Sequence, residues 1–210
     1  SLATGVSGDG SAVVGRSVTA TNSDEQAFRW TESSGMLGLG FLPGGGYRSN
    51  AAGVSADGSV IVGSGGVRNV NPALPGRTEA FRWTATDGMV GLGVLPGKSG
   101  SEATGVSADG SVIIGLSSGG GDAAFIWTAE AGMRSLLDVL VAGGATDLAG
   151  WTFTNALAIS ADGRHVLVSA SNQPGQIGQY VAHLVPLPPA IYLFGSALAG
   201  LATRRWATGR

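Results

Sequence analysis

The sequence predicts an all-β fold: a β-propeller-like array of about four four-stranded antiparallel blades, followed by one short C-terminal transmembrane helix. Three observations predict it. A single unit recurs four times along the 210 residues, at a spacing of about 50 positions that belongs to solenoids and propellers. Inside each unit apolar residues alternate with small or polar ones, which is the period of strands. The composition of 37 glycines with 12% charged residues suits many tight turns, whereas disordered chains are charged and poor in Val, Ile and Trp.

The first element of each unit is a hairpin. Ala3 to Gly15 (ATGVSGDGSAVVG), Ala51 to Gly63 (AAGVSADGSVIVG) and Ala103 to Gly115 (ATGVSADGSVIIG) are near-identical, and Ala156 to Val168 (ALAISADGRHVLV) is a degenerate fourth copy. Each has a strand on either side of an Asp-Gly turn whose glycine takes positive φ. The second element is a strand carrying two aromatics, QAFRWT, EAFRWT or AAFIWT. It runs through a further turn into GMLGLGFLPG, GMVGLGVLPG or the weaker GMRSLLDVL. Two hairpins make four strands, the strand count of a propeller blade. The units lie near residues 3–50, 51–102, 103–155 and 156–184, and the fourth offers only Gln179 to Leu184 after its hairpin. Helix is expected nowhere before the tail.

The order GVSADGSVIVG, AFRWT, GMxxLGxLPG resembles the HAF family of bacterial extracellular repeats over roughly residues 1–185. The His of that family's name is Gln26, Glu79 or an alanine here, while Ala and Phe are kept in all three. The resemblance implies a propeller-like fold and an extracellular setting, without an assigned biochemistry. The Ser-Ala-Asp-Gly turn ahead of a Trp-bearing strand is also similar to a blade of WD-type propellers.

The tail has a different character. Val185 to Pro189 is proline-rich, Ala190 to Ala202 is apolar, and Arg204 with Arg205 closes the pattern. As a helix the apolar stretch reaches about 20 Å, short of a bilayer core of about 30 Å, so an extended Leu184 to Pro189 must help it cross. Arginines beside a span stay on the cytoplasmic side, which puts the repeats outside the cytoplasm. This three-part order resembles the PEP-CTERM sorting signal of Gram-negative bacteria in its VPLP-type variant. Val185, Pro186, Leu187 and Pro188 match the sorting motif, Leu193 to Ser196 matches a run typical of the variant, and Arg204 and Arg205 match the basic membrane stop. Pro189 stands where alanine is usual, and the chain continues past the arginines to Arg210. The resemblance implies an exosortase as partner, transient residence in the inner membrane during processing, and then the cell surface or an exopolysaccharide matrix. The chain opens SLATGVS, without the leader such a protein requires, so residue 1 reads as a fragment boundary or a trimmed start with a strand lost upstream.

Candidate chemistry is sparse. Asp9, Asp57, Asp109 and Asp162 occupy one turn position in successive units, which fits residues that cap their own backbone better than a carboxylate pair or a calcium loop. His165 and His183 lack metal-ligand spacing, so no metal is expected. No serine sits in a nucleophile context, and neither Gly44 to Gly46 nor Gly119 to Gly121 is followed by the Lys-Ser/Thr of a phosphate loop. Phe28, Trp30, Phe81, Trp83, Phe125 and Trp127 recur across units and read as core between neighbouring sheets. Trp151 occurs once, beside a Gly-rich loop, and is the candidate ligand contact.

The net charge of −2 argues against nucleic acid, and the absence of cysteine excludes disulfides and thiolate metal sites. No cofactor is expected, and the reading is non-enzymatic: an exported structural or adhesive repeat protein. A glycan-binding or glycan-acting propeller is the alternative, with Arg68, Arg77, Asp122 and Asp147 as its sparse polar candidates. A permanently anchored membrane protein is another.

Overall fold

A computed structural model describes residues 1–19, 24–44, 46, 48–68, 76–172 and 175–184. They form four antiparallel sheets in chain order, arranged like propeller blades but without closure among the described residues. Sheet 1 holds β1 (Leu2–Val6), β2 (Ala12–Val18), β3 (Glu25–Thr31) and β4 (Gly35–Gly38). Sheet 2 holds β5 (Ser49–Val54), β6 (Ile61–Val67), β7 (Arg77–Thr84) and β8 (Gly88–Gly91). Sheet 3 holds β9 (Gly100–Val106), β10 (Val112–Ser118), β11 (Ala123–Thr128) and β12 (Gly132–Ser135). Sheet 4 has three strands, β13 (Trp151–Ile159), β14 (His165–Asn172) and β15 (Ile177–His183). The short fourth unit thus forms a three-stranded sheet.

The strand alternation fixes which face of each sheet meets which neighbour. Across sheet 2, Val54, Ile61, Trp83 and Met89 stand in one cross-strand row. Ile61, Trp83 and Met89 pack with Ala51 and Phe81 against Val14, Ala27, Leu39 and Leu42 of sheet 1 and its following loop. The other face of sheet 2, with Val62, Ala80 and Leu92, meets Ala103, Ile113 and Phe125 of sheet 3. Sheet 3 in turn gives Ile114, Ala124 and Ile126 to Phe153, Ala156, Val166 and Val168 of sheet 4. Sheets 2 and 3 therefore each bury one face on the sheet before and one on the sheet after. This layering is the main stabilising contribution, since it removes apolar surface from water on both sides.

Backbone contacts repeat with the same order. Asp9 N–H donates to Ala56 O at 3.0 Å, Ala56 N–H to Ala108 O at 2.9 Å, and Ala108 N–H to Ala161 O at 3.0 Å, which links the four Asp-Gly turns in a line. Thr4 Oγ1 donates to Ala51 O at 2.6 Å, and Thr104 Oγ1 makes the equivalent bond to Ala156 O.

Two local features depart from simple hairpins. The first strand of each of the first three sheets carries a register shift. It brings a carbonyl up against Gly15, Gly63 or Gly115, where an added Cβ would lie 2.0 Å from the oxygen of Leu2, Asn50 or Glu102. Sheet 4 keeps this shift, between Ala156 and Ala158, with Val168 in place of the glycine, and adds a second between Phe153 and Asn155. The second departure is a helix, α1 (Leu136–Ala142), which corrects the expectation that helix is confined to Ala190–Ala202. In sheets 1 and 2 the strand that carries the Met is followed by Leu39-Gly40 or Leu92-Gly93, with both glycines at positive φ. Leu137 replaces that glycine in sheet 3. The left-handed turn is then disfavoured, Ser135 Oγ accepts from Asp138 N–H as an N-cap, and Leu136 and Leu140 bury one helical turn apart.

Candidate functional site

The line of Asp-Gly turns forms one rim of the array, and its chemistry is local. Ser7 Oγ donates to Asp9 Oδ1 at 2.6 Å, Ser11 N–H donates to the same oxygen at 2.9 Å, and Ser7 Oγ accepts from Ala12 N–H at 2.9 Å. Ser55, Asp57, Ser59 and Val60 repeat the arrangement at 2.7, 3.0 and 2.9 Å, and Ser107, Asp109, Ser111 and Val112 at 2.6, 3.0 and 3.0 Å. Ser160, Asp162, Arg164 and His165 complete the set. The serine hydroxyl and the backbone amide stabilise the ionised carboxylate, so all four aspartates titrate below the ordinary range, Asp57 at about 2. A carboxylate held this acidic is a poor general acid near neutral pH.

Between sheets 1 and 2 the rim opens into a cleft of about 610 Å³ whose lining includes Arg29, Asp57, Gly58, Arg82, Trp83 and Asp87. Arg29 Nε donates to Gly58 O at 3.1 Å, which holds its guanidinium across the sheet boundary. Arg82 Nη1 lies 3.5 Å from Asp87 Oδ2, and Thr84 Oγ1 donates to the same oxygen at 3.0 Å. The two arginines occupy equivalent positions in the AFRWT strands, and sheet 3 has Ile126 there. Sequence reading passed over this cleft. Its signal was a strand position that is Arg twice and Ile once, on the face turned to the following sheet.

The six recurrent aromatics do not share one fate. Phe28, Phe81, Phe125 and Trp83 are buried and Trp127 is half-buried, whereas Trp30 is 39% exposed. The expectation that Trp30 is core is corrected: its face of sheet 1 has no preceding sheet among the described residues. Trp151 opens β13 half-buried, packs against the cluster between sheets 3 and 4, and meets Tyr180 edge-on at 4.9 Å between ring centroids. His165 and His183 pair across β14 and β15 with ring centroids 4.1 Å apart, and His165 Nδ1 is 3.9 Å from Asp162. No group of three or more metal-ligating side chains occurs among the described residues.

Of the polar candidates for a glycan site, Arg77 pairs with Glu79 at 2.8 Å, and Glu79 also accepts from Gly93 N–H. Arg68 follows β6 and Asp122 precedes β11, while Asp147 lies in the loop after α1 with φ at 64°. The sorting motif Val185 to Pro188, the apolar stretch 190–202, and Arg204 and Arg205 fall outside the described residues. No helix among the described residues is long and apolar enough to cross a membrane.

No family model matches the chain, and no curated protein matches its sequence. Solved structures do. A protein assigned as a TolB from Agrobacterium tumefaciens superposes with a TM-score of 0.51 at 14% identity over 85% of this chain and 64% of that one. A structure from work on two prolyl endopeptidases gives 0.50 at 12% identity over 88% of this chain and 28% of that one. This chain therefore spans less than two thirds of either protein. At such identities the likeness shows the fold alone, and that fold is β-propeller-like.

Proposed function

We propose that the protein is an exported repeat protein with a structural or adhesive role at the cell surface or in an exopolysaccharide matrix, delivered through its tail by an exosortase. One observation carries this reading: the order of Val185 to Pro188, the apolar Ala190 to Ala202, and Arg204 with Arg205. Guanidinium groups resist entry into hydrocarbon at about 2.5 kcal/mol or more each, so the arginines hold the chain in the inner membrane while the proline motif is read. The turn chemistry supports a non-enzymatic role. Each rim aspartate serves its own hairpin. In a host with the cognate exosortase, Pro186→Ala with Pro188→Ala is expected to accumulate uncut in the inner membrane. Arg204→Glu with Arg205→Glu is expected to lose membrane retention. A proline variant processed like the natural chain would remove the recognition motif from the account, and uncut natural chain would leave a permanent anchor.

Glycan binding is a second reading, favoured by the cleft between sheets 1 and 2. Arg29 and Arg82 there suit the carboxylates or hydroxyls of an acidic polysaccharide. Calorimetry with alginate as probe is expected to give a signal that Arg29→Ala with Arg82→Ala abolishes. No heat from the natural chain would end this reading.

A further inference from the structure

Two clefts open on the rim of Asp-Gly turns, and they are copies of one another. The cleft lined by Arg82 lies on sheet 2, between its Asp57-Gly58 turn and the turn at Ala85 to Asp87. The second lies on sheet 1 between the equivalent turns, where Ser11, Arg29 and Thr31 stand in the places of Ser59, Arg82 and Thr84. Arg29 lines both. It belongs to the sheet's own strand in one cleft and to the preceding sheet in the other, so the two clefts meet at its side chain.

The two arginines differ in how they are held. Arg82 Nη1 has Asp87 Oδ2 at 3.5 Å. On sheet 1 the place of Asp87 is taken by Ser34, whose hydroxyl lies 2.5 Å from Thr31 Oγ1, and Arg29 has no carboxylate within ion-pair distance among the described residues. A second difference fixes the side chain. Arg29 Nε donates to Gly58 O at 3.1 Å with the small Ala12 beside Gly58, whereas at the next boundary the bulkier Val60 fills that place beside Gly110. Nη1 and Nη2 make no hydrogen bond among the described residues. Arg29 is therefore a half-buried guanidinium, oriented by one carbonyl, with its charge unpaired and two nitrogens free. Such a fork suits a carboxylate, which accepts two parallel N–H bonds. The aspartates of the lining are already engaged, Asp57 by Ser55 and Ser59 and Asp87 by Arg82 and Thr84. Glu32, exposed on the sheet 1 turn, is the carboxylate that opposes an anion.

We infer that Arg29 is the carboxylate anchor of one polyuronate strand that lies across both clefts. The inference rests on the glycan-binding reading and deepens it, by assigning the anchor to Arg29 rather than Arg82 and by requiring a polymer rather than a single sugar. Recurrence of the cleft carries the second part, because a lining that repeats from sheet to sheet matches a ligand that repeats along its own chain. Neighbouring sheets pack about 10 Å apart, close to the length of two linked sugar residues.

Calorimetry with the full chain in a non-ionic detergent tests it, with alginate and its mannuronate disaccharide as probes. Per disaccharide unit, the polymer is expected to bind the natural chain about tenfold more tightly than the disaccharide. Arg29→Ala is expected to weaken polymer binding about tenfold or more and Arg82→Ala about twofold, because only the first removes an unpaired guanidinium. Glu32→Gln is expected to tighten it about twofold. Ser34→Asp leaves Arg29 in place and gives it the carboxylate that Arg82 has, so it should weaken binding as Arg29→Ala does. It decides the matter where circular dichroism shows that Arg29→Ala does not fold. Polymer binding that survives Ser34→Asp and Arg29→Ala, or that equals the disaccharide per unit, would overturn this inference and leave the glycan reading standing. No heat from the natural chain with either probe would end both.

Discussion

Sheets 1 and 2 carry nearly the same residues in the same register and differ in what lies against them. Trp83 is 9% exposed and Met89 7%, while their counterparts Trp30 and Met36 are open to water. The difference teaches that a repeat sequence specifies half an interface, and that burial belongs to the pair of sheets. Side-chain identity alone therefore overstates the core at the end of an array.

The largest expected effect sharpens this contrast. Trp83→Ala is expected to cost about 3–5 kcal/mol by chemical denaturation, as large core truncations do, whereas Trp30→Ala is expected to cost at most about 1 kcal/mol. Equal costs would break the comparison. Met89→Ala against Met36→Ala repeats it on a smaller scale, with about 2–3 kcal/mol expected for the buried residue and about 0.5 kcal/mol for the exposed one.

The turns should not share the asymmetry. Ser7 and Ser55 are both buried, and each hydroxyl bridges an aspartate and a backbone amide. Ser7→Ala and Ser55→Ala are each expected to lose about 1–2 kcal/mol, because each leaves a buried N–H without its acceptor. A much smaller loss at Ser7 would mean that sheet 1 is loosened as a whole. The smallest effect is a pH dependence. The folded-state value of Asp57, about 2, lies below the ordinary 3.8, so its contribution is present above about pH 4 and is lost as pH falls through the folded value. The stability gap between the natural chain and Asp57→Asn should therefore narrow from about pH 4 to about pH 2. A gap that widens on acidification would contradict the hydrogen-bonded turn.

Much of this architecture was legible because the repeat states it several times. The Asp-Gly hairpins, the aromatic strand and the incomplete fourth unit follow from period-two patterning and turn chemistry. The helix α1 is not legible in this way, because GMRSLLDVL keeps the pattern of its strand-forming counterparts while Leu137 replaces the one left-handed glycine that decides the local conformation. The register shift of the first strand recurs in sheet 4 opposite Val168, without a glycine, so the glycines at 15, 63 and 115 accommodate the close carbonyl and do not by themselves mark the shift. The exposure of Trp30 and the cleft at Arg29 and Arg82 depend on which sheets adjoin, and one unit's pattern does not contain that information. The tail is the reverse case: its order is legible in sequence, and it lies outside the described residues.

The central functional claim is that Val185 to Arg210 is an address rather than an anchor, and the intact mass of the protein from cells that carry the cognate exosortase tests it most directly. The account predicts a mature chain that ends near the proline motif and lacks Arg204, Arg205 and Arg210. A mature chain that retains Arg210 would contradict it.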